Sequence, residues 1–121
     1  MTDVTVRYTN FHDSTLTSVD LSGKDLTGTI LTKANLSNSI LTGVDLSGKD
    51  LTVTILSGVD LSDKDLTGTI LTRANLSNSI LTGADLTNAI LTSAILTNAN
   101  LENVVLANAI LDCVGHSICI S

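Results

Sequence analysis

The chain has no proline or tryptophan, and its ring residues are limited to Tyr8 and Phe11. A core of large packed rings is therefore excluded, although 43% of the residues are hydrophobic. Apolar residues never run for more than a few positions, so no segment reads as a bilayer-spanning helix. The opening "MTDVTVRYTN" has neither the basic nor the apolar region of a signal peptide, and the expected location is cytoplasmic. Only two cysteines occur, Cys113 and Cys119, too few and too localised for a disulfide framework, so free thiols are expected. Basic residues are also scarce. A net charge of −6 supplies no footprint for a nucleic-acid backbone and leaves a basic protein surface as the charged partner it would suit.

What is present is a rhythm of five. From Leu16 to Leu111 every fifth residue is leucine, and Phe11 and Val6 extend the column backwards. Two places before each leucine stand mostly small or β-branched residues such as Val19, Thr29, Ala34, Ser39 and Ala94. One place before stands Asp, Asn or Ile, and one place after almost always Thr or Ser. A period of five is neither the 3.6 of a helix nor the 2 of a strand. It buries two columns only if the chain turns a corner in every pentad and stacks coil on coil. Residues 19–46 recur as 59–86 except at Gly23/Asp63, Lys33/Arg73 and Val44/Ala84, an offset equal to two coils if four pentads make one. Coils would then stack at the strand spacing of about 4.8 Å. Each enclosed leucine should contribute roughly 1.5–3 kcal/mol, a gain that repeats without aromatics.

The units "ANLSN", "ADLTN", "VDLSG" and "ANLEN" resemble the A(D/N)LXX repeat of the pentapeptide-repeat family, over roughly residues 4–113. The resemblance implies an all-β, right-handed quadrilateral β-helix of about five coils. The central leucine and the residue two before it would point inward, and the other three outward. The whole of 1–121 then forms one domain, with 114–121 as a C-terminal cap in which Ile118 and Ile120 alternate like a strand over the last coil.

Residues twenty apart share a wall. Asp25, Asp45, Asp65 and Asp85 make an acidic ladder ending at Val105. Such close like charges need hydrogen bonds from neighbouring Thr or Ser, solvent or a cation. Lys24, Lys49 and Lys64 occupy inward slots that elsewhere hold small residues. Unpaired buried ammonium groups are too costly for a domain's narrow stability margin, so their stems are expected to lie inside and their amines to reach solvent or a carboxylate such as Asp63 or Asp65. Past Asp85 the outward column turns apolar at Ile90, Ile95, Val105 and Ile110, which marks a candidate contact surface and predicts a homodimer through the C-terminal part.

No phosphate loop, carboxylate pair or Ser-His-Asp arrangement appears, so the sequence points to a non-enzymatic solenoid without a cofactor, presenting flat surfaces for protein binding or self-association. Cys113, His116 and Cys119, with Asp112 adjacent, approach a zinc spacing but lack a convincing fourth ligand; no metal is expected, and a Cys113–Cys119 disulfide is the other minor alternative. The family resemblance also implies a DNA-mimicking inhibitor of gyrase as one alternative. Regular Thr and Ile columns admit ice binding as another. Against the first stand the short chain and the isoleucines diluting the acid; against the second stands Asp50, which interrupts the array.

Overall fold

The computed structural model describes residues 6–120. Nearly every pentad makes one bridge residue and one tight turn, the pentads of Asp25 and Asp45 lacking the bridge, and no helix among the described residues is long and apolar enough to cross a membrane. The turn is set by a hydrogen bond from the inward residue back to the preceding leucine, as from the Ala34 amide to the Leu31 carbonyl at 3.0 Å. Its third residue adopts a left-handed conformation. At every fifth position from Tyr8 to Asn108 φ lies between +56° and +74°. Glycine, asparagine and aspartate fill most of these corners because they tolerate that region. Among the other corner residues Val53 is the only β-branched one, held at φ +60°.

Turning at each pentad places residue i over residue i+20. Parallel bridges join Asn35 to Ile55, Ile55 to Asn75 and Asn75 to Ile95, and the same offset recurs on the other walls. A complete rung carries two bonds: the Leu36 amide donates to the Ile55 carbonyl at 2.8 Å, and the Ile55 amide to the Ala34 carbonyl at 3.0 Å. Four walls result. Wall 1 holds residues 24–28, 44–48, 64–68, 84–88 and 104–108; walls 2, 3 and 4 follow as 29–33, 34–38 and 39–43 with their repeats at twenty. The interior is the leucine column from Leu21 to Leu101 with the small residues beside it, including Ala34, Val59, Ala74 and Ala89. Most inward hydroxyls are satisfied locally, Thr54 donating to the Leu51 carbonyl and Thr69 to the Leu66 carbonyl, while the buried Ser39 hydroxyl has no partner among the described residues. Both inward columns lie where the period puts them. The first unit starts in part at Val4 and Thr5, which lie outside the described residues.

The C-terminal end departs from the expectation. After Leu111 the twenty-residue ladder slips: Ile95 bridges Val114, an offset of nineteen. Cys113 takes the inward slot and is buried, while Val114 is 54% exposed. The expected free thiols are corrected by a Cys113–Cys119 disulfide, and no free cysteine remains. The slip explains the bond, since turning Cys113 inward brings it to the returning cap. That cap is a turn and not a strand. Ile118 packs against the core, Ile120 is exposed, and the Ile120 amide closes onto the Leu111 carbonyl at 2.7 Å. Gly115, at φ +88°, is required there because a side chain would collide with Thr97.

Candidate functional site

The acidic ladder is first of all a set of corner clamps. In each case Oδ1 of the residue before leucine accepts the amide of the residue after it. Asp25 takes the Thr27 amide at 2.9 Å, Asp45 the Ser47 amide at 2.9 Å, Asp65 the Thr67 amide at 2.9 Å and Asp85 the Thr87 amide at 2.9 Å. The Thr27, Ser47 and Thr87 hydroxyls donate to the same oxygens. Asn35 and Asn75 make the identical clamp without charge. The geometry is an Asx turn, and it explains why Asp and Asn alternate freely at this position. Isoleucine there forgoes the clamp. Asp25 also meets Arg7 at 3.3 Å, an exposed pair.

These bonds favour the ionised carboxylates. Asp20, Asp25, Asp45, Asp60 and Asp85 are all held below the ordinary carboxylate range, chiefly by the hydroxyl of the following Ser or Thr and then by its amide. A carboxylate depressed in the folded state contributes stability that is present above its unfolded pKa and is lost as pH falls through the folded one. The expected result is a flat melting temperature from pH 7 to about 5 and a progressive fall below about pH 4. Changing these five aspartates to asparagine retains the clamp and should flatten the acid limb; an unchanged limb in thermal melts would assign it to other groups.

Among the described residues Lys49 and Lys64 do not reach carboxylates. Lys49 Nζ donates to the Leu26 carbonyl at 2.7 Å, and Lys64 Nζ donates to the carbonyls of Leu41 at 2.6 Å and Val44 at 2.9 Å. Each amine reaches back to the coil before its own, to the residue 23 positions earlier. Asp63 lies over Gly83 instead, and Asp65 clamps Thr67. The correction has a simple cause: from an inward slot the stem is shorter to a carbonyl of the neighbouring coil than around a corner to a carboxylate, and the carbonyls supply the acceptors an ammonium needs. Burial pushes the Lys64 amine below the usual lysine range, and Asp45 and Asp60 partly restore it.

Where these stems enter, the coils part. A cleft of about 440 Å³ runs between residues 23–28 and 43–49, lined by Lys24, Lys49, Asp25 and Asp45. A second of about 390 Å³ lies between Thr29–Thr32 and Ser47–Asp50. The motif search missed these clefts, and the three lysines in small-residue slots were the signal that could have found them.

The candidate contact residues are distributed around the C-terminal end. Val105 is on wall 1, Ile90 and Ile110 stack on wall 2 above Ile70, and Ile95 is on wall 3 beside Val114. Val105 is 47% exposed and Ile110 49%. They form an apolar collar and not one flat patch. His12 is exposed on an outward corner, with Nδ1 2.7 Å from Thr32 Oγ1. The disulfide consumes both thiols of the zinc-like spacing, and among the described residues no cluster of His, Cys, Asp and Glu converges as a metal site.

The family model for pentapeptide repeats matches this chain in eight copies, over residues 9–48, 41–73 and 69–108. The chain belongs to the pentapeptide-repeat family. Among solved pentapeptide-repeat structures, QnrB1, a plasmid-mediated fluoroquinolone resistance protein, superposes with a TM-score of 0.61 at 17% identity, over 87% of this chain and 61% of that one. A pentapeptide-repeat protein of the Arabidopsis thaliana thylakoid lumen superposes with a TM-score of 0.50 at 28% identity, over 84% of this chain and 69% of that one. This chain thus spans less than two thirds of QnrB1, and that likeness is one of fold. No curated protein matches by sequence. The pentapeptide-repeat architecture is the right-handed β-helix that the A(D/N)LXX units imply, and its members are repeat scaffolds.

Proposed function

We propose that this scaffold works without catalysis, by presenting its walls to protein surfaces, and that its first partner is a second copy of itself. The observation that carries the reading is the apolar collar: Val105, Ile110, Ile95 and Val114 are all more than a third exposed and cover three of the four walls at the end of the solenoid, Asn100 and Glu102 holding the fourth, while charge gathers toward the other end. A collar around an end suits end-on packing about a twofold axis, which buries it reciprocally. Sedimentation equilibrium tests this. The unmodified protein should be dimeric at about 100 μM, a concentration at which even a weak micromolar contact is populated. Changing Val105 and Ile110 together to Asp should release folded monomers. A monomeric unmodified protein at that concentration would remove the collar as an interface.

The outward edges of Asp45, Asp65 and Asp85, and of Asp25 beside its exposed Arg7 partner, make wall 1 the surface that suits a basic partner. The gyrase alternative rests on this wall alone, and inhibition of supercoiling by the purified protein is its test. The disulfide supports work in an oxidising compartment, where such bonds persist, in place of the cytoplasm expected from the sequence.

A further inference from the structure

We propose that the solenoid is built as an opening joint, with wall 3 as its spine and wall 1 as its mouth, and that Lys49 and Lys64 hold the mouth open. Wall 3 is bridged without interruption from Thr15 through Asn35, Ile55, Asn75 and Ile95 to Val114. On the opposite wall, among the described residues, the ladder is closed only from Asp65 through Asp85 to Val105; Asp25 does not bridge Asp45, nor Asp45 Asp65. The walls between lose one rung each, Ile30 to Asp50 on wall 2 and Ile40 to Asp60 on wall 4.

The losses follow one rule. Each lysine opens the rung of its own pentad and that of the pentad before it, always toward the preceding coil. For Lys49 these are the rungs at Asp50 and Asp45; for Lys64 they are those at Asp65 and Asp60. Outside these two seams the rungs from Asn10–Ile30 to Ile90–Ile110 keep their backbone bonds. The amides of Leu26, Leu31, Leu41 and Leu46 donate to no backbone carbonyl, whereas Leu66, Leu71, Leu81 and Leu86, forty residues on and in the same sequence setting, donate to the next coil at 2.7–2.8 Å. The turns inside every affected pentad remain closed. The rungs between coils are lost while the corner bonds from the Lys33 amide to the Thr52 carbonyl and from the Gly48 amide to the Thr67 carbonyl remain, and the coils themselves are intact.

Repulsion within the acidic ladder is not the cause. Asp65 and Asp85 are both acidic and their rung is closed, while Ile30 and Asp50 are not an acidic pair and theirs is open. The difference lies in the inward slot: Ala84 beside the closed Asp65–Asp85 rung, Lys49 and Lys64 at the open Ile30–Asp50 and Asp45–Asp65 rungs, with the rungs at Val44 and Val59 opened next to them. The corner geometry agrees in part. At the Lys49 seam nothing lies within 4 Å of the position a side chain on Gly48 would occupy, whereas across the Lys64 seam the corners still touch, a side chain on Gly68 meeting Gly48 at 3.9 Å. Segments with few backbone bonds between them open at low free energy, so wall 1 splays and closes on wall 3 as its hinge, and the curvature offered to a partner changes with it.

Amide hydrogen exchange resolved by residue tests the joint in the full chain. Leu26, Leu31, Leu41 and Leu46 should exchange roughly tenfold or more faster than Leu66, Leu71, Leu81 and Leu86, while Leu36 and Leu56 on the spine stay as protected as Leu76. Replacing Lys49 and Lys64 with Ala, the residue that fills this slot at positions 84 and 89, should close the seams and bring the first four into line with the second. Equal protection of the two sets in the unmodified protein overturns the joint, and this comparison stands even if the variant fails to fold. Unequal sets that Lys49→Ala/Lys64→Ala leaves unequal, in a variant shown folded by circular dichroism, overturn the lysines as its cause.

Discussion

Replacing Leu56 with alanine is expected to destabilise the fold by about 2–5 kcal/mol. Leu56 is 1% exposed, sits on the continuously bridged wall, and is stacked between Leu36 and Leu76 in a column that has no neighbouring aromatic to collapse into the space. A repeat interior is one residue wide in each direction, so a missing isobutyl group leaves a cavity that the fixed rungs above and below prevent from closing. Leu51, fully enclosed on wall 2, should respond in the same range. Equilibrium denaturation in urea reads the difference, with the slope unchanged if the transition remains two-state. A loss below about half a kilocalorie at both positions would contradict the inward leucine column, because even an Ile→Val deletion in a packed core typically costs that much.

The second large effect is expected at the C-terminal end. Reducing the Cys113–Cys119 bond should cost about 2 kcal/mol by the chain-entropy relation for so short a loop, a fall in melting temperature of roughly 5–10 °C. The bond joins the last inward slot of the ladder to the returning cap, and apart from it the cap is held mainly by the Ile120–Leu111 hydrogen bond and the packing of Ile118. A terminal coil without its cap exposes the edge of Leu101, Leu106 and Leu111, and a solenoid unzips from its ends because each coil contacts only its neighbours. Thermal melts with and without a thiol reductant check this, with the Cys113→Ser/Cys119→Ser variant as the reductant-insensitive control. Titratable thiols in the denatured, unreduced protein would show that the bond is absent.

Legibility followed the range of the interaction. The leucine column, the small-residue column and the four-pentad coil were readable because each pentad repeats the same local rule: a turn with one left-handed corner, a clamp from Asp or Asn, and one large side chain directed inward. The clamp itself was half readable. Thr and Ser after the leucine were expected to compensate the acidic ladder, and they do so by donating amide and hydroxyl to one carboxylate oxygen, as Thr27 does to Asp25.

The sequence by itself determined the coil, since the period, the corners and the enclosed column depend on residues within five of one another. Tertiary structure alone decided the rest. Where the Lys49 and Lys64 amines end depends on a carbonyl 23 residues away that becomes a neighbour only when one coil is stacked on the next. The fate of Cys113 depends on a one-residue slip against Ile95 in the coil before, which turns its thiol inward and meets it with Cys119. Both outcomes are set by contacts between coils, and a repeating pattern states those contacts only where every coil is alike.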